Sequence, residues 1–550
     1  MKSLILVALA IHAISAVDWI PGRGAQVAFV EVEAEHANHN GQLIGNDRHY
    51  GQLSSEASQR RAVTLNAGGQ YVEFTMPIEA NSVVVRYSIP DTGSGKDHEI
   101  RDADIDLYVG GAKLKPLTFT SKYSHWYGSY PFNNNPGSGN AHHFYDSVRT
   151  LLDKTYPKGT KVKLQVSDTG KSPTFTIDLA DFELIGAPIA QPSGSLSVTD
   201  AAYGADPTGK TDSSKAFQKA VDDGATQKKT VYIPQGTYMI YEHVIVDGVT
   251  LTGAGPWYSV LGGRHPTDRS KTCGVYGKYV EQGGSKNVHL SNFAIIGDIR
   301  ERVDEIQTNG IGGALTDTVI DNLWLQHVKV GAWLDGKMDN LVIKNCRIED
   351  TTADGVNFHK GVTNSIVQNT FLRNTGDDGL AMWAEQYPNV NNKFINNTMG
   401  IPVLANNIAI YGGKDIEVSD NLVYDTISNG GGIHIANRYP GVQGPTGVLG
   451  HHKVYRNTML RAGNADYNWN FGIGSIWFSG QNEEIKNATI EVKDCDIIDA
   501  SYSAIMYIEG KTNGVTFDNL SINGTGTFAL QLQAGGENVI KHCIIRENCK

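Results

Sequence analysis

Cysteine is scarce in this chain of 550 residues, as are long apolar runs and clusters of basic residues. The five cysteines lie between Cys273 and Cys549 and form neither a disulfide framework nor a zinc-binding spacing. No later stretch reaches the roughly 18 apolar residues of a transmembrane helix, so no membrane association is expected. Without a Lys/Arg cluster, and with a formal net charge of −11, nucleic acid is excluded as a partner.

The N-terminus, MKSLILVALAIHAISA, has the pattern of a secretory signal peptide over residues 1–16. Lys2 supplies the positive start, an apolar core follows, and Ser15 and Ala16 form a small-residue cleavage end. Four glycosylation sequons agree with export, and they begin at Asn396, Asn487, Asn519 and Asn523. We therefore expect a soluble, secreted, extracellular protein.

Glycine is abundant, with 61 residues, and short alternating strands dominate the first part of the chain. Segments such as YVEFTM and SVVVRYSI are separated by turn residues at the spacing of a β-sandwich. We predict an antiparallel, carbohydrate-binding-like β-sandwich over residues 27–186. A linker rich in Pro, Ala and Ser then spans residues 187–196.

Residues 197–550 are predicted to form a right-handed parallel β-helix, which makes the fold class all-β. From about residue 288 the chain repeats a unit of about 24 residues, each with short β segments and an Asn turn. One unit cannot bury its apolar face alone, whereas stacked units can. A short helix before the repeats begins near Asp212 or Ser213 and turns one apolar face inward.

The repeats place asparagines in one predicted turn column, which would form a hydrogen-bonded ladder between rungs. The column consists of Asn345, Asn369, Asn397, Asn421, Asn457 and Asn519, with Asp494 substituting once. The next column holds Cys346 and Cys495, which are therefore predicted to be interior and too far apart for a disulfide. Cys543 with Cys549 is the one pair that spacing permits.

Strand alternation predicts an outward face with an unusual composition. The aligned outward positions are Trp333, Asn357, Ala381, Ala409, His434 and Trp477, and beside them run Asp335, His359, Trp383 and Tyr411. Aromatic faces stack well on sugar rings, so this face is interpreted as a glycan-binding groove. The predicted substrate contacts are Trp333, Asn357, His359, Trp383, Tyr411, His434 and Trp477. The alternative is a docking face for another domain or for long loops.

Three aspartates border this face. Asp354 precedes Gly355 and Asp378 precedes Gly379, 24 residues later, so the two lie on adjacent rungs, with Asp377 beside them. Carboxylates this close repel one another, and the repulsion raises the pKa of at least one of them. Such an arrangement is useful for cleaving a glycosidic bond, where one carboxyl group must hold a proton and another must activate water. The alternatives are turn-forming residues or calcium ligands.

The segments TTADGVNFHKG, RNTGDDGLAMWAE and NNIAIYGG resemble glycoside hydrolase family 87, the α-1,3-glucanases (mutanases) and mycodextranases. The opening YGADPTGKTDSSKAFQKAV resembles the pectate-lyase-type β-helix enzymes, and SEASQRRAVTLNAGGQYVEF resembles the family's N-terminal domain. The resemblance implies endo-hydrolysis of α-1,3-linked glucan with inversion. It also implies that Asp354, Asp377 and Asp378 form the catalytic group. Adjacent rungs lie about 4.8 Å apart, closer than the roughly 6.5–9.5 Å of inverting enzymes, and only the diagonal pair Asp354 and Asp377 reaches that range, which favours Asp377 or Asp378 as the general acid.

Several alternatives stay open at this point. The alternating α-1,3/α-1,4 glucan cleaved by mycodextranases fits the sequence equally well as a substrate. The competing functional class is a non-catalytic glycan-binding β-helix protein. Polygalacturonan hydrolysis or lyase action would call for basic residues at the groove. No cofactor is expected to be required, a structural calcium ion is left open, and a monomer is expected.

Overall fold

The computed structural model describes residues 22–92, 100–126, 142–167 and 169–546. The predicted signal peptide, residues 1–16, lies outside the described residues, as does Cys549. Cys273, Cys346, Cys495 and Cys543 are free thiols, and the first three are buried. The interior positions predicted for Cys346 and Cys495 are therefore confirmed. None of the helices in the described ranges is both long and apolar enough to cross a membrane.

The first domain is an antiparallel sandwich of two sheets around a core of its own. One sheet contains Phe29–Glu33, Gln42–Gly45, Arg61–Leu65, Ala80–Ser88, Asp146–Tyr156 and Phe175–Glu183. The other contains Asn38–His39, Tyr71–Thr75, Asp102–Val109, Ala112–Lys113, Leu117–Thr120 and Lys161–Gln165. Alternating apolar positions such as Val72 and Phe74, both 0% exposed, face the opposite sheet, as the sequence pattern predicts.

The second domain is a parallel β-helix in which each strand pairs with the strand one repeat away. A sheet of eleven described strands, here called the cleft sheet, carries the outward face discussed above. Its strands are Val244–Ile245, Val275–Tyr276, Ile311–Gly313, Ala332–Asp335, Val356–His359, Leu380–Trp383, Ile408–Tyr411, Ile433–Ala436, Ile476–Ser479, Ile505–Ile508 and Leu530–Leu532. The all-β prediction, a sandwich followed by a parallel β-helix, is confirmed.

A larger sheet of 25 described strands closes the other sides of the β-helix. Its strands are Leu196–Ser197, Thr208–Asp212, Val231–Ile233, Gly236–Met239, Thr250–Gly253, Ser259–Gly262, His289–Ile296, Thr318–Gln326, Leu341–Lys344, Arg347–Glu349, Ile366–Gln368, Phe371–Arg373, Lys393–Ile395, Thr398–Gly400, Gly413–Lys414, Glu417–Ser419, Leu422–Tyr424, Val448–Tyr455, Thr458–Leu460, Ala488–Lys493, Asp496–Ala500, Val515–Asp518, Ser521–Thr525, Val539–Lys541 and Ile544–Arg546. Short strand pairs such as His125–Trp126 with His142–His143 lie outside these sheets.

The two ends of the β-helix differ. Helix α1, Ser214–Gln227, covers the first rungs and buries Phe217 and Val221 against the core. At the last described rung, Ile540 and Ile545 occupy interior columns and yet are each 53% exposed. A second short helix, α2, spans Asp466–Trp469 within a long turn.

The asparagine column differs from the prediction by one residue in its central rungs. Asn345 and Asn369 have φ of 55° and 47°, and the residue aligned with them on the next rung is Asn396, with φ of 55°. Asn397 lies one position further inward, is 0% exposed, and donates to the carbonyl of Val367. The dipeptide Asn396–Asn397 hides the shift, because the first Asn takes the left-handed turn and the second enters the interior.

The sandwich packs against the β-helix through a buried ionic network. Arg373 of the helix pairs with Glu31 and Asp181 of the sandwich and with Glu349 of the neighbouring rung. Arg373 and its three partners are each no more than 1% exposed. Buried charges are costly unless they are paired, and here the charges of each domain are paired with charges of the other.

Candidate active site

A cleft of about 530 Å³ runs along the outer surface of the cleft sheet. Its floor and walls combine aromatic and carboxyl side chains, the combination expected of a site for a hydroxyl-rich ligand. The lining residues that the sequence singled out are Trp333, Asp354, Asn357, Asp377, Asp378, Trp383 and Tyr411. Asp304 also lines the cleft.

The register of the cleft sheet follows the predicted alignment. Trp333 pairs with Asn357, and the same column continues through Ala381, Ala409, His434 and Trp477. The neighbouring column continues from Asp335 through His359 and Trp383 to Tyr411. In parallel strands with a 24-residue repeat, residues at the same position of successive repeats lie directly above one another. An alignment of the repeats in sequence is therefore also an alignment in the structure.

The three aspartates converge at one edge of the cleft. Asp354 and Asp378 end successive turns, and one carboxylate oxygen from each aspartate lies within 4.8 Å of the others. Glycine follows each of these two because the rungs touch there. A Cβ at Gly355 would lie 2.5 Å from the carbonyl oxygen of Gly379, and a Cβ at Gly379 would lie 2.6 Å from that of Asn407.

Each carboxylate has a different set of partners. Asp378 is the most hydrogen-bonded, since it accepts from the backbone and side chain of Asn406 at 2.8 and 2.9 Å and from the Tyr411 hydroxyl at 2.8 Å. Asp377 accepts from the backbone N–H of Asp378 at 3.0 Å and pairs with Arg302 at 2.7 Å. Asp354 accepts from the Asn357 side chain at 2.7 Å.

Burial and mutual repulsion raise the pKa of all three aspartates. Burial, with the Asp377 charge adding to it, raises the pKa of Asp378 to about 7. The pKa of Asp354 is raised well above its usual range by burial and by the two neighbouring carboxylates. Burial also raises the pKa of Asp377, against the opposing effect of the Arg302 guanidinium. The cluster therefore holds protons near neutral pH while one member keeps a cation beside it.

Arg302 and Asn406 are site residues that the sequence analysis missed. Arg302 belongs to a segment between two β-helix strands, outside the repeat, so no column could identify it. Asn406 could have been found, because it precedes Asn407, which the alignment of repeats already matched with Gly379. It therefore stands on the rung after Asp378, in the same column.

Trp333, His359 and Trp383 form a row of mutually tilted rings beside the cleft. The His359 ring lies 4.9 Å from that of Trp333 and 4.8 Å from that of Trp383, measured between centroids. Both ring nitrogens of His359 are engaged, with Asp335 at 3.0 Å and Glu385 at 3.1 Å. His359 is 6% exposed and does not line the cleft. This position lets it pack against the two indole rings and leaves it out of reach of a substrate in the cleft.

His434 and Trp477 do not reach the cleft either. They stack on each other with ring centroids 3.3 Å apart and are 0% and 1% exposed. Phe471 and Ile473, from the long turn that follows residue 462, cover Trp477, and its indole N–H donates to Asn406 at 2.9 Å. The predicted substrate contact at these two residues is therefore corrected: this half of the outward face is a docking surface for a loop.

Two further places could hold a metal ion. Asp146, His327 and Asp350 bring ligand-type atoms within 4.8 Å of one another, but they already bond to one another and to neighbouring amides. In the sandwich, Glu35 has both carboxylate oxygens buried with no donor from another described residue, and Glu33 has one such oxygen. Burial raises the pKa of Glu35 to about 8. Oxygen donors of this kind suit Ca²⁺.

Family models match both domains of the chain. Residues 26–185 match the model described as alpha-1,3-glucanase catalytic domain D1, and residues 209–548 match the model described as alpha-1,3-glucanase catalytic domain D2. Together the two matches include every residue of the cleft described above.

Solved structures agree with the family models over nearly the whole chain. The catalytic unit of a thermostable family 87 α-1,3-glucanase from Streptomyces thermodiastaticus is 37% identical, covers 95% of this chain and 97% of its own, and superposes with a TM-score of 0.82. The catalytic domain of a family 87 α-1,3-glucanase in complex with nigerose is 25% identical, with 95% and 96% coverage and a TM-score of 0.79.

Variants of such a catalytic domain have been crystallised with sugars. They carry alanine in place of aspartate at one position and at each of two adjacent positions, the first of which is 23 residues further along. Their complexes contain nigerose or tetrasaccharides.

Curated relatives match a smaller part of the chain and are much longer. The preneck appendage protein of Bacillus phage PZA is 28% identical over 196 residues, which are 34% of this chain and 22% of that protein. The pre-neck appendage protein of Bacillus phage phi29 is 27% identical over the same length. The chain spans between 22% and 28% of the length of the curated relatives that it matches.

Proposed function

The chain belongs to glycoside hydrolase family 87, the α-1,3-glucanases, and on that basis we propose that it cleaves internal α-1,3-glucosidic bonds of glucan with Asp354, Asp377 and Asp378 as its catalytic group. That the protein is a glucan-hydrolysing glycoside hydrolase follows from the family itself. The residues, the internal cleavage and the stereochemistry are the proposal.

The convergence of the three aspartates in an aromatic cleft carries this proposal. Their spacing, one aspartate followed 23 residues later by an adjacent pair, equals the spacing of the aspartates replaced in the sugar complexes of the family 87 relative. A cluster of buried like charges destabilises a fold, and chemistry is the usual reason to retain one. Indoles at Trp333 and Trp383 offer apolar faces on which glucosyl rings can stack.

The environments of the three carboxyl groups distinguish their roles. Asp378 is the general acid in this proposal, because a pKa of about 7 lets it hold a proton near neutral pH and release it to the leaving oxygen. Asp377 is the base that accepts the proton of the attacking water, since Arg302 favours its ionised form. Asp354, with the pKa raised well above its usual range, stays protonated and orients that water with its hydroxyl.

Inversion is part of the proposal and has its own test. The oxygens lie closer together than the roughly 6.5–9.5 Å common for the carboxyl pair of inverting enzymes. A water held between the adjacent carboxyls of Asp354 and Asp377, with Asp378 on the leaving-group side, accommodates that spacing. NMR of the first products should show the β-anomer at the new reducing end, and early α-anomer would establish retention instead.

Substrate choice can be tested with a panel of polysaccharides. Reducing-sugar release should be largest on insoluble α-1,3-glucan and weak or absent on dextran, β-1,3-glucan and polygalacturonate. Release from nigeran alone would favour the second candidate, a mycodextranase acting on alternating α-1,3/α-1,4 glucan, which the relationship to family 87 permits. Binding to glucan without any release would instead favour a glycan-binding protein.

We propose secretion on the signal-like residues 1–16 and on the surface position of the sequons. Asn396, Asn487 and Asn519 are all exposed at turns or beside strand ends. Expression in a eukaryotic host should yield extracellular protein that loses mass with an endoglycosidase. Light scattering of that material would test the expected monomer.

A structural calcium ion, if bound, is proposed to bind at Glu33 and Glu35. Glu33 is 1% exposed, and its second oxygen, like both of those of Glu35, lacks a donor among the described residues. A divalent cation would neutralise these carboxylates, so a chelator should lower the Tm by several degrees in the wild type and leave the Tm of Glu35→Gln unchanged. An equal response of both proteins to the chelator would contradict this site.

A further inference from the structure

The sandwich is linked, directly or through one or two bridging side chains, to each of the three β-helix segments that carry the proposed catalytic residues. We infer that it is a positioning element of the active site, in which Arg86, Asp146 and Lys122 fix the segments that carry Asp378, Asp354 and Arg302. The inference rests on the proposed function and assigns the sandwich a positioning role through these three side chains, a different role from that of a glycan-binding module.

The turn that carries Asp377 and Asp378 begins at Asn374, which is 0% exposed against the sandwich. Arg86 of the sandwich donates to the Asn374 side-chain oxygen at 3.0 Å, and the Asn374 amide donates to the backbone carbonyl of Tyr145 at 3.0 Å. Arg86 is itself held by an ion pair with Asp178 and by a hydrogen bond to the carbonyl of Glu56 at 2.9 Å. Asp378 follows Asn374 by only four positions in the chain.

The turn that carries Asp354, one rung earlier, is linked to the sandwich through bridging residues of the β-helix. It begins at Asp350, which is 3% exposed and accepts from Gln326 at 2.8 Å and from Asn374 at 2.5 Å. Gln326 also donates to the carbonyl of Ser147 in the sandwich at 3.1 Å. Its neighbour His327 pairs with Asp146 of the sandwich at 2.6 Å.

The third segment runs from residue 298 to residue 309 and brings Arg302 to Asp377. Lys122 of the sandwich pairs with Asp298 at the start of this segment at 2.7 Å, and the Tyr123 hydroxyl donates to the same carboxylate at 3.3 Å. The Tyr123 ring also stacks on His327, with centroids 3.4 Å apart. One small area of the sandwich is therefore linked to all three segments.

These contacts matter because catalysis by grouped carboxyls depends on their relative positions. Asn374 has φ of 63° and Asp350 has φ of 49°, so each turn leaves its strand through a left-handed residue that the sandwich surrounds. If the surrounding contact is lost, that residue can relax and shift the aspartate four residues later. Displacements of about 1 Å from a remote mutation can cost about 100-fold in rate.

The test compares two sandwich arginines at the interface. Arg86→Lys keeps a cation beside Asp178 but cannot reach Asn374 and Glu56 together. Arg149→Lys changes a guanidinium that lies 4.4 Å from the Trp324 ring, away from the catalytic turns. On a soluble α-1,3-linked oligosaccharide, Arg86→Lys should lower kcat about 10- to 100-fold with KM nearly unchanged, and Arg149→Lys should leave kcat unchanged. Lys122→Met should lower kcat by a smaller factor and provides the test if Arg86→Lys does not fold.

Hydrogen exchange of the peptide that contains residues 374–384 supplies a readout without substrate. Exchange there is expected to be faster in Arg86→Lys than in Arg149→Lys. This readout does not depend on activity, so it tests the inference even if the proposed function is wrong. Failure of the proposed function would show differently, as a wild-type protein that cleaves no α-1,3-glucan. Equal kcat in the wild type, Arg86→Lys and Lys122→Met would overturn the inference. So would a rise in KM on polymer with kcat intact, which would mark the sandwich as a binding module.

Discussion

Two buried clusters of acidic side chains lie on neighbouring parts of this molecule, and they differ in what surrounds them. Asp146, His327 and Asp350 lie between the domains, where the imidazole pairs with one carboxylate and amides donate to the other. Asp354, Asp377 and Asp378 line an open cleft, and Arg302 is the one cation paired with them among the described residues. In the first cluster each carboxylate thus has an imidazole or amide donors beside it, whereas the second cluster crowds three carboxyl groups around one cation in an open cleft, which is the arrangement for acid–base chemistry.

Apart from replacement of the catalytic carboxyl groups themselves, the largest effect should come from removing the cation of the second cluster. Arg302→Met leaves Asp377 buried without its ion pair, which raises the pKa of that carboxyl and weakens the proposed base. We expect kcat to fall about 100-fold. That factor corresponds to the loss of about 2.7 kcal/mol, the contribution of one strong charge-assisted contact to transition-state stabilisation. The acid limb of the pH–rate profile should move upward, and Arg300→Met, whose partner is Asp298, serves as the control. Unchanged kinetics in Arg302→Met would contradict the role of the cation.

Stability should respond in opposite directions in the two clusters. A carboxyl with a folded pKa above its unfolded value destabilises the fold above the unfolded pKa, so Asp354→Asn should raise the Tm. The gain should be absent below about pH 4, where Asp354 is protonated in both states, and should grow as the pH rises. Asp146→Asn removes the carboxylate paired with His327 and should lower the Tm. Thermal scans at several pH values measure both effects, and a Tm loss in Asp354→Asn would show that its repulsion is already relieved.

The smallest effect is a shift in pH dependence. The Tyr411 hydroxyl donates to Asp378 and favours its ionised form, so Tyr411→Phe should raise the pKa of Asp378 further above 7. Because the proposed acid must be protonated, the alkaline limb of kcat/KM should move upward by less than one pH unit. Tyr439→Phe is the comparison variant, since this tyrosine lines the same cleft and bonds to Tyr411, not to Asp378, so its shift should be the smaller of the two. A downward shift in Tyr411→Phe would rule out Asp378 as the acid.

The sequence alone predicted the register of the cleft sheet and the meeting of the three aspartates. It could do so because a parallel β-helix repeats at a nearly constant interval, so that residues 24 apart stack. Prediction failed where a segment leaves the repeat. Arg302 lies in such a segment, and the covering of Trp477 by Phe471 depends on the path of another. The one-residue shift at Asn396 and Asn397 had no visible signal, since either Asn can take the left-handed turn.

The central claim is that the open cluster, and not the closed one, performs hydrolysis. Its most direct test is the rate of reducing-sugar release from α-1,3-glucan by Asp354→Asn, Asp377→Asn, Asp378→Asn and Asp350→Asn, each checked for a folded state by circular dichroism. The account predicts that each of the first three variants loses at least about 1,000-fold in kcat, while Asp350→Asn retains activity within about tenfold of the wild type, a loss that misplacement alone explains. Near-wild-type activity in Asp377→Asn or Asp378→Asn would contradict the account.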